Sequence, residues 1–274
     1  MSHLDSEFAG SIPAIYDRYL GPLIFEPYAA DLAQRVSGLN PGSVLEIAAG
    51  TGVVTRALAR VLSATVDIVA TDLNQPMLDF AARHFKQARP ISWQQANALI
   101  LPFPDASFDV VVCQFGVMFF PDKAAAHREA RRVLKPGGRF IFSVWDCIEE
   151  NEVPHAVSEG AAGVFPADPP HFLARTPHGY FDKQKIRDEA GQANFSKTNC
   201  RPYHSAAALL LIAILRSVSV MELRCATRSK SVIGIGWQKQ RTQRRKPSGR
   251  GSGPGRSMAR YKRTLSRRQN DQHN

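Results

Sequence analysis

The sequence predicts an α/β domain: a mostly parallel, twisted sheet flanked by helices. Three observations carry this. From residue 43 to residue 145, apolar runs of strand length alternate with stretches of helical spacing, the order that yields parallel strands joined by crossover helices. The run from Val110 to Phe115 is nearly continuous in apolar residues, as in a strand buried on both faces. The first run, Ser43 to Ile47, ends in the small-residue turn Ala48-Ala49-Gly50-Thr51-Gly52, and an amphipathic stretch from Val53 to Leu62 follows. Strand, tight turn and helix N-terminus in that order bring backbone amides close to a small polar ligand.

The details of the turn separate two ligand classes. A dinucleotide fingerprint needs a third glycine three residues after the second, and that position is Thr55. Glu46 stands at the carboxyl end of the strand, four residues before Gly50, where a carboxylate suits a cationic, hydrogen-bond-donating ligand better than a pyrophosphate. With Glu46, Gly50 and Gly52 in place, the stretch resembles motif I of the class I S-adenosylmethionine-dependent methyltransferases, acid-x-Gly-x-Gly-x-Gly. Ala48 replaces the first glycine, a mild departure if φ there is negative. The resemblance implies a Rossmann-like methyltransferase fold that binds S-adenosyl-L-methionine, with Glu46, Ala48, Gly50 and Gly52 beside it.

The chain before and after this motif supports the same frame. Ile12 to Ser37 has helical spacing, interrupted at Gly21-Pro22; in the resembled family such a segment covers the cofactor, so Tyr16 and Tyr19 are lid candidates. Val66 to Thr71 reads as a second strand ending at Asp72, 20 residues after Gly52, where a carboxylate reaches ribose hydroxyls, with Leu73 beside it. Asn74 is expected to cap the next helix, with Pro76 in its first turn. Ile91 to Gln94 is a short third strand leading to Asn97-Ala98. The resembled family commonly has Asp-Ala there, before Leu-Pro-Phe, and this chain has Leu101-Pro102-Phe103. An amide oxygen at Asn97 still accepts from an adenine amino group, without charge assistance.

Val110 to Phe115 is the fourth strand, with Gln114 at its carboxyl end, where open α/β sheets bind ligands. A helix runs from Pro121-Asp122 to Leu134, with Arg128, Arg131 and Arg132 as a solvated outer face and His127 at the surface. Lys135-Pro136-Gly137-Gly138 stops it, and Arg139 to Trp145 is the fifth strand. Four motifs in order over residues 12–145 are most similar to the type 11, quinone-biosynthesis-like branch. Residues 146–200 fall where such an enzyme places its acceptor pocket; His155, His171 and His178 there read as loop polarity. Metal-ligand spacing is not present.

Composition bounds the rest. The 274 residues carry a net charge of +11, distributed unevenly. Residues 1–200 hold 18 of the 35 Lys and Arg and 22 of the 24 Asp and Glu, and residues 201–274 hold the other 17 and 2. The reading divides the chain into a methyltransferase domain, 1–200, and an atypical, disordered basic tail, 201–274. The codons possible for Met221 to Lys230, read two bases later, permit Gly-Thr-Pro-Leu-Arg-Asn-Glu-Ile-Glu, which resembles a segment of the same branch. The tail is therefore expected to be frameshifted, the C-terminal sheet hairpin incomplete and the fifth strand exposed at its edge. The four cysteines are scattered, and Met1 to Gly10 lacks the apolar core of a signal peptide, which point to a cytoplasmic protein. The longest apolar run, Ala206 to Leu215, is half the roughly 20 residues of a membrane span.

The function expected is methyl transfer from S-adenosyl-L-methionine to a small-molecule acceptor. No catalytic residue is named, since the displacement requires alignment in a dry site rather than a nucleophile or a metal. The alternatives are a catalytically impaired protein of the same fold with an aberrant tail, and a nicotinamide-dependent oxidoreductase. Nucleic acid would be attracted by the basic tail alone.

Overall fold

A computed structural model describes residues 12–203 and 218–225. The sheet has seven strands in the order β3-β2-β1-β4-β5-β7-β6: β1 (Ser43–Ile47), β2 (Asp67–Asp72), β3 (Ser92–Gln95), β4 (Phe108–Gln114), β5 (Leu134–Trp145), β6 (Phe195–Tyr203) and β7 (Val218–Cys225). The first five run parallel, and β7 lies antiparallel between β5 and β6. Strand order reverses at β1, whose neighbours are β2 and β4. Crossover connections there leave to opposite faces and open a crevice at the carboxyl ends.

Alternation along the central strands builds two apolar layers. Leu45, Val111, Phe140 and Phe142 face helices α5 (Lys123–Val133) and α8 (Lys183–Gln192) through Ala126, Ala130 and Ile186. Val44, Val110, Val112 and Ile141 face α2 (Glu26–Ser37) and α3 (Val53–Val61) through Leu32, Val36, Val54 and Leu58. A one-residue offset between the two sets is what a period-2 strand buried on both faces requires.

The hairpin expected to be incomplete is present in the backbone. β7 pairs with β5 from Arg139↔Arg224 to Trp145↔Val218, and β6 completes the outer edge. The fifth strand is therefore not an unpaired edge. The charge imbalance behind this expectation averages over a long segment, and it hides Val218-Ser219-Val220-Met221-Glu222-Leu223, a short and mainly apolar run with two β-branched valines. Pro202 fits β6 because an edge strand tolerates a missing donor. The remaining residues of the basic tail, with the apolar run Ala206 to Leu215, lie outside the described residues.

The lead-in differs from a helix broken at Gly21-Pro22. Between α1 (Ile12–Ile15) and α2 the chain stays helical as a π-helix, Tyr16–Phe25, with Pro22 inside it. The wider turn bonds residue i to i+5, so Glu26 N–H donates to Gly21 O and the segment continues past a proline that donates nothing. His127, expected at the surface, is fully buried on α5, with its ring 5.9 Å from that of Phe140 and 5.6 Å from that of Phe142. Among the described residues, no helix is long and apolar enough to cross a membrane.

Candidate cofactor and acceptor site

The turn after β1 climbs through three residues with positive φ: Ala48 at 56°, Gly50 at 55° and Gly52 at 78°. Ala48 is thus in the left-handed region, and its replacement of glycine is not mild. An L residue there carries a cost on the order of 1 kcal/mol that glycine avoids. The two glycines serve different ends. A β-carbon on Gly50 would meet nothing within 4 Å, so that side of the backbone opens on space. A β-carbon on Gly52 would lie 3.1 Å from Ala81 Cβ and 3.2 Å from the Trp93 ring. Gly52 lets α3 start close against α4 (Gln75–His84) and β3.

Two carboxylates anchor this turn. Asp72 accepts from Gly50 N–H at 2.8 Å and from Asn74 N–H at 2.8 Å, and the Asn74 side-chain amide adds a longer contact at 3.4 Å. Asn74 occupies the cap position of α4 but makes no side-chain cap bond to that helix; its side chain turns back to Asp72 instead. Glu46 accepts from the Thr55 hydroxyl at 2.6 Å. The residue that excludes a dinucleotide fingerprint is thus the hydrogen-bond partner of the motif acid. Glu46 is 2% exposed and Asp72 7%. Burial pushes the Glu46 carboxyl up to about 8, with the nearby Asp72 charge adding and the Thr55 bond and Arg56 charge opposing. Burial also raises Asp72, against the hydrogen bonds from Asn74 and Gly50.

Both carboxylates line one cavity of about 470 Å³ at the carboxyl ends of β1, β2 and β4, within the range of small-molecule sites. Of the residues singled out in the sequence, Glu46, Ala48, Gly50, Asp72, Leu73, Asn97, Ala98 and Gln114 all line it, and Gly52 does not. Asn97 closes an Asx turn, accepting from Leu99 N–H at 2.9 Å, so one lone pair of its oxygen is already engaged. Gln114 donates to Phe25 O at 3.0 Å, while its own Oε1 is buried without a hydrogen-bond partner. Of the lid candidates, Tyr16 lines the cavity, stacked on Phe25 with centroids 4.9 Å apart. Tyr19 is 55% exposed, beneath the guanidinium of Arg18.

Several lining residues went unmarked in the sequence. Phe115, Phe119, Phe120 and Pro121 supply an apolar wall on the β4 side. Phe115 stacks on Trp145 with centroids 4.1 Å apart and planes 1° from parallel, and it holds a φ of 54°. That conformation is unusual for a bulky side chain and is held here by the surrounding stack. Arg132, read as solvated surface, binds the carboxylates of Glu129 and Asp105 and the carbonyls of Leu101 and Phe103. It fastens the loop that follows Asn97 to α5. His178 is buried, with Nδ1 2.8 Å from Asp146 O; His155 and His171 do not line the cavity. Among the described residues, no three His, Cys, Asp or Glu side chains group as metal ligands.

Among the described residues, neither Lys, Arg nor His lines the cavity, while two buried carboxylates do. Such a site favours a ligand that brings positive charge and hydrogen-bond donors, and it offers a pyrophosphate no counter-charge.

Residues 45–142 match a family model described as a methyltransferase domain, type 11. This part of the chain is similar to the type 11 methyltransferase domains. Among curated proteins, the ubiquinone/menaquinone biosynthesis C-methyltransferase UbiE of Shewanella sp. strain W3-18-1 is 39% identical over 111 residues, 39% of this chain and 44% of the relative. The same figures hold for UbiE of Shewanella baltica OS155. The chain therefore matches less than half the length of these relatives. A SAM-dependent methyltransferase from Aquifex aeolicus superposes with a TM-score of 0.56 at 14% identity, covering 78% of this chain and 98% of that one. A Methanococcus maripaludis structure gives 0.58 at 19%, covering 85% and 100%. These two likenesses are of fold.

Proposed function

We propose that this protein transfers a methyl group from S-adenosyl-L-methionine to a small-molecule acceptor. The observation that carries the reading is the cavity with two buried carboxylates and, among the described residues, no cationic side chain. The cofactor supplies an activated methyl group on a sulfonium whose leaving group is neutral.

In this reading, Asp72, already oriented by Gly50 and Asn74, accepts from the ribose hydroxyls. Asn97, with Ala98 and Leu73 beside it, meets the adenine. Glu46 and the turn from Ala48 to Gly50 meet the amino-acid end, where an ammonium stabilises the Glu46 carboxylate. Gln114 offers its oxygen from the β4 side, with its amide nitrogen already committed to Phe25 O. Tyr16, Phe115, Phe119 and Phe120 exclude water, so that donor and acceptor react by in-line displacement in a dry, aligned site.

The acceptor side adds a chemical argument. Among the described residues, the titratable side chains lining the cavity are Tyr16, Glu46 and Asp72, and in this reading both carboxylates face the cofactor. With neither carboxylate left to the acceptor, and with burial holding the Tyr16 hydroxyl protonated, the site suits an acceptor that is nucleophilic on its own, such as an electron-rich ring carbon, better than one needing a base. C-methylation, the activity named for the Shewanella relatives, fits that preference. Calorimetric titration separates the cofactors: S-adenosylmethionine should bind and NAD should not. Methyl transfer from labelled S-adenosylmethionine to quinone precursors, phenols and amines then tests the acceptor. Binding of NAD in place of S-adenosylmethionine would overturn the reading.

A further inference from the structure

We propose that Arg56 is a positioning residue that ties the lead-in helix over the cavity, by spanning the Asp17 carboxylate and the Thr51 carbonyl, and so slows release of the bound cofactor. The inference rests on the methyltransferase reading of the cavity.

Arg56 sits in the first turns of α3. Its Nη1 donates to Thr51 O at 2.8 Å and its Nη2 to Asp17 Oδ1 at 2.9 Å. Its own backbone is held at both ends: the N–H donates to Gly52 O at 2.9 Å, and the carbonyl accepts from the Gln87 side chain at 2.9 Å. The guanidinium is thus a fixed fork on a rigid helix, with one prong on the cofactor turn and the other on the π-helical segment. Thr51 lines the cavity, and Asp17 directly follows Tyr16, which lines it from the other side. At the far end of the same segment, Gln114 holds Phe25 O at 3.0 Å. Two side chains from the body of the domain therefore grip the π-helix at both ends, and the stacked pair Tyr16 and Phe25 forms the roof between them.

Arg56 does not line the cavity and acts through Tyr16 and Thr51. The ion pair is partly exposed, with side-chain accessibilities of 19% and 26%, so its share of global stability is small. Its effect falls on a local opening that the lead-in helix must make before a ligand can leave.

The test is the dissociation rate of S-adenosylhomocysteine, which binds without reacting, measured by stopped-flow on the full chain. Asp17→Ala removes the acceptor and so breaks the tie, and it leaves the Arg56 charge near Glu46 unchanged. Asp17→Ala and Arg56→Ala should each release the ligand about tenfold faster, with the thermal midpoint nearly unchanged, and Arg56→Lys should fall between them and the parent. The double variant should be no faster than Arg56→Ala alone, since both changes cut one link. In turnover, KM for the cofactor should rise while kcat holds. Release at the parent's rate from Asp17→Ala would overturn the proposal, as would two effects that add. A parent chain that binds no S-adenosylhomocysteine would refute the reading of the cavity instead.

Discussion

The methyl group of Ala48 fills the space that a side chain on Gly116 would need: a β-carbon built on Gly116 would lie 2.6 Å from Ala48 Cβ and 2.7 Å from Cys113 Sγ. The turns after β1 and β4 thus share room for one methyl, and this chain places it at residue 48, at a φ of 56°. Ala48→Gly relieves the left-handed backbone and should stabilise by about 1 kcal/mol in denaturant unfolding. Gly116→Ala should destabilise by about 1–3 kcal/mol through overpacking. Combining the two should restore part of the loss, because Ala48 is removed and Cys113 is not. Strict additivity of the pair would show that the two turns do not compete for this space.

Gly50 and Gly52 are separable by experiment. A side chain at Gly50 would project into open space at the cavity, whereas one at Gly52 would meet Ala81 and Trp93. Gly50→Val should abolish S-adenosylmethionine binding in calorimetry and cost modest stability from its φ of 55°. Gly52→Val should lower the thermal midpoint further, by disturbing the contact of α3 with α4 and β3. Equal loss of stability in the two variants would contradict this division.

Asp72→Asn tests the ribose assignment while keeping an acceptor for Gly50 or Asn74. Loss of charge assistance at two ligand hydrogen bonds should weaken S-adenosylmethionine at least about tenfold. Undiminished affinity would remove Asp72 from the site. Asn97→Asp should tighten binding or leave it unchanged, since the new carboxylate can still accept from Leu99 N–H and bears a charge toward the adenine.

The sheet from β1 to β5 was legible because its strands are buried runs bounded by Gly, Pro and Asp turns, and eight of nine expected site residues line one cavity for the same reason. What was missed depends on partners distant in sequence. The Arg56–Asp17 pair joins residues 39 apart, and nothing in the local sequence of either marks it. The left-handed φ of Ala48 and Phe115 follows from how loops meet after the fold closes. β6 mixes Lys, Asn, Arg and Pro among its apolar residues, as an edge strand can, so no period-2 pattern exposed it. His127 was obscured by its basic neighbours, although positions 126, 127, 130 and 133 trace one buried helix face.

Glu46 should make cofactor binding release a proton. In the unliganded protein its carboxyl is raised to about 8, chiefly by burial, so near pH 7 it holds a proton that a bound ammonium displaces. Calorimetric titration in buffers of different ionisation enthalpy should show release that is lost in Glu46→Gln. The sign for stability follows from linkage: a carboxyl raised on folding stabilises below its ordinary range near pH 4.5, and that contribution is lost as pH rises through about 8. Unliganded Glu46→Gln should therefore gain on the parent at pH 8 relative to pH 5. Binding heats independent of buffer would refute a protonated Glu46.

His127 should set an opposing dependence at acid pH. Its ring is fully buried between Phe140 and Phe142, with neither nitrogen hydrogen-bonded, and burial, with the nearby Lys123 charge, lowers its pKa from 6.5 to about 4. Between those values the unfolded chain binds a proton that the folded chain refuses, so stability falls as pH drops through 6.5 and this loss levels off below about 4. The size of the shift corresponds to about 3 kcal/mol over that interval. His127→Phe would keep the aromatic contacts and remove the titration. Urea unfolding of parent and variant at pH 7 and pH 4.5 checks it: the variant should lose about 2–3 kcal/mol less than the parent on acidification. Parallel losses in the two proteins would place the acid sensitivity elsewhere and leave His127 a spectator in the core.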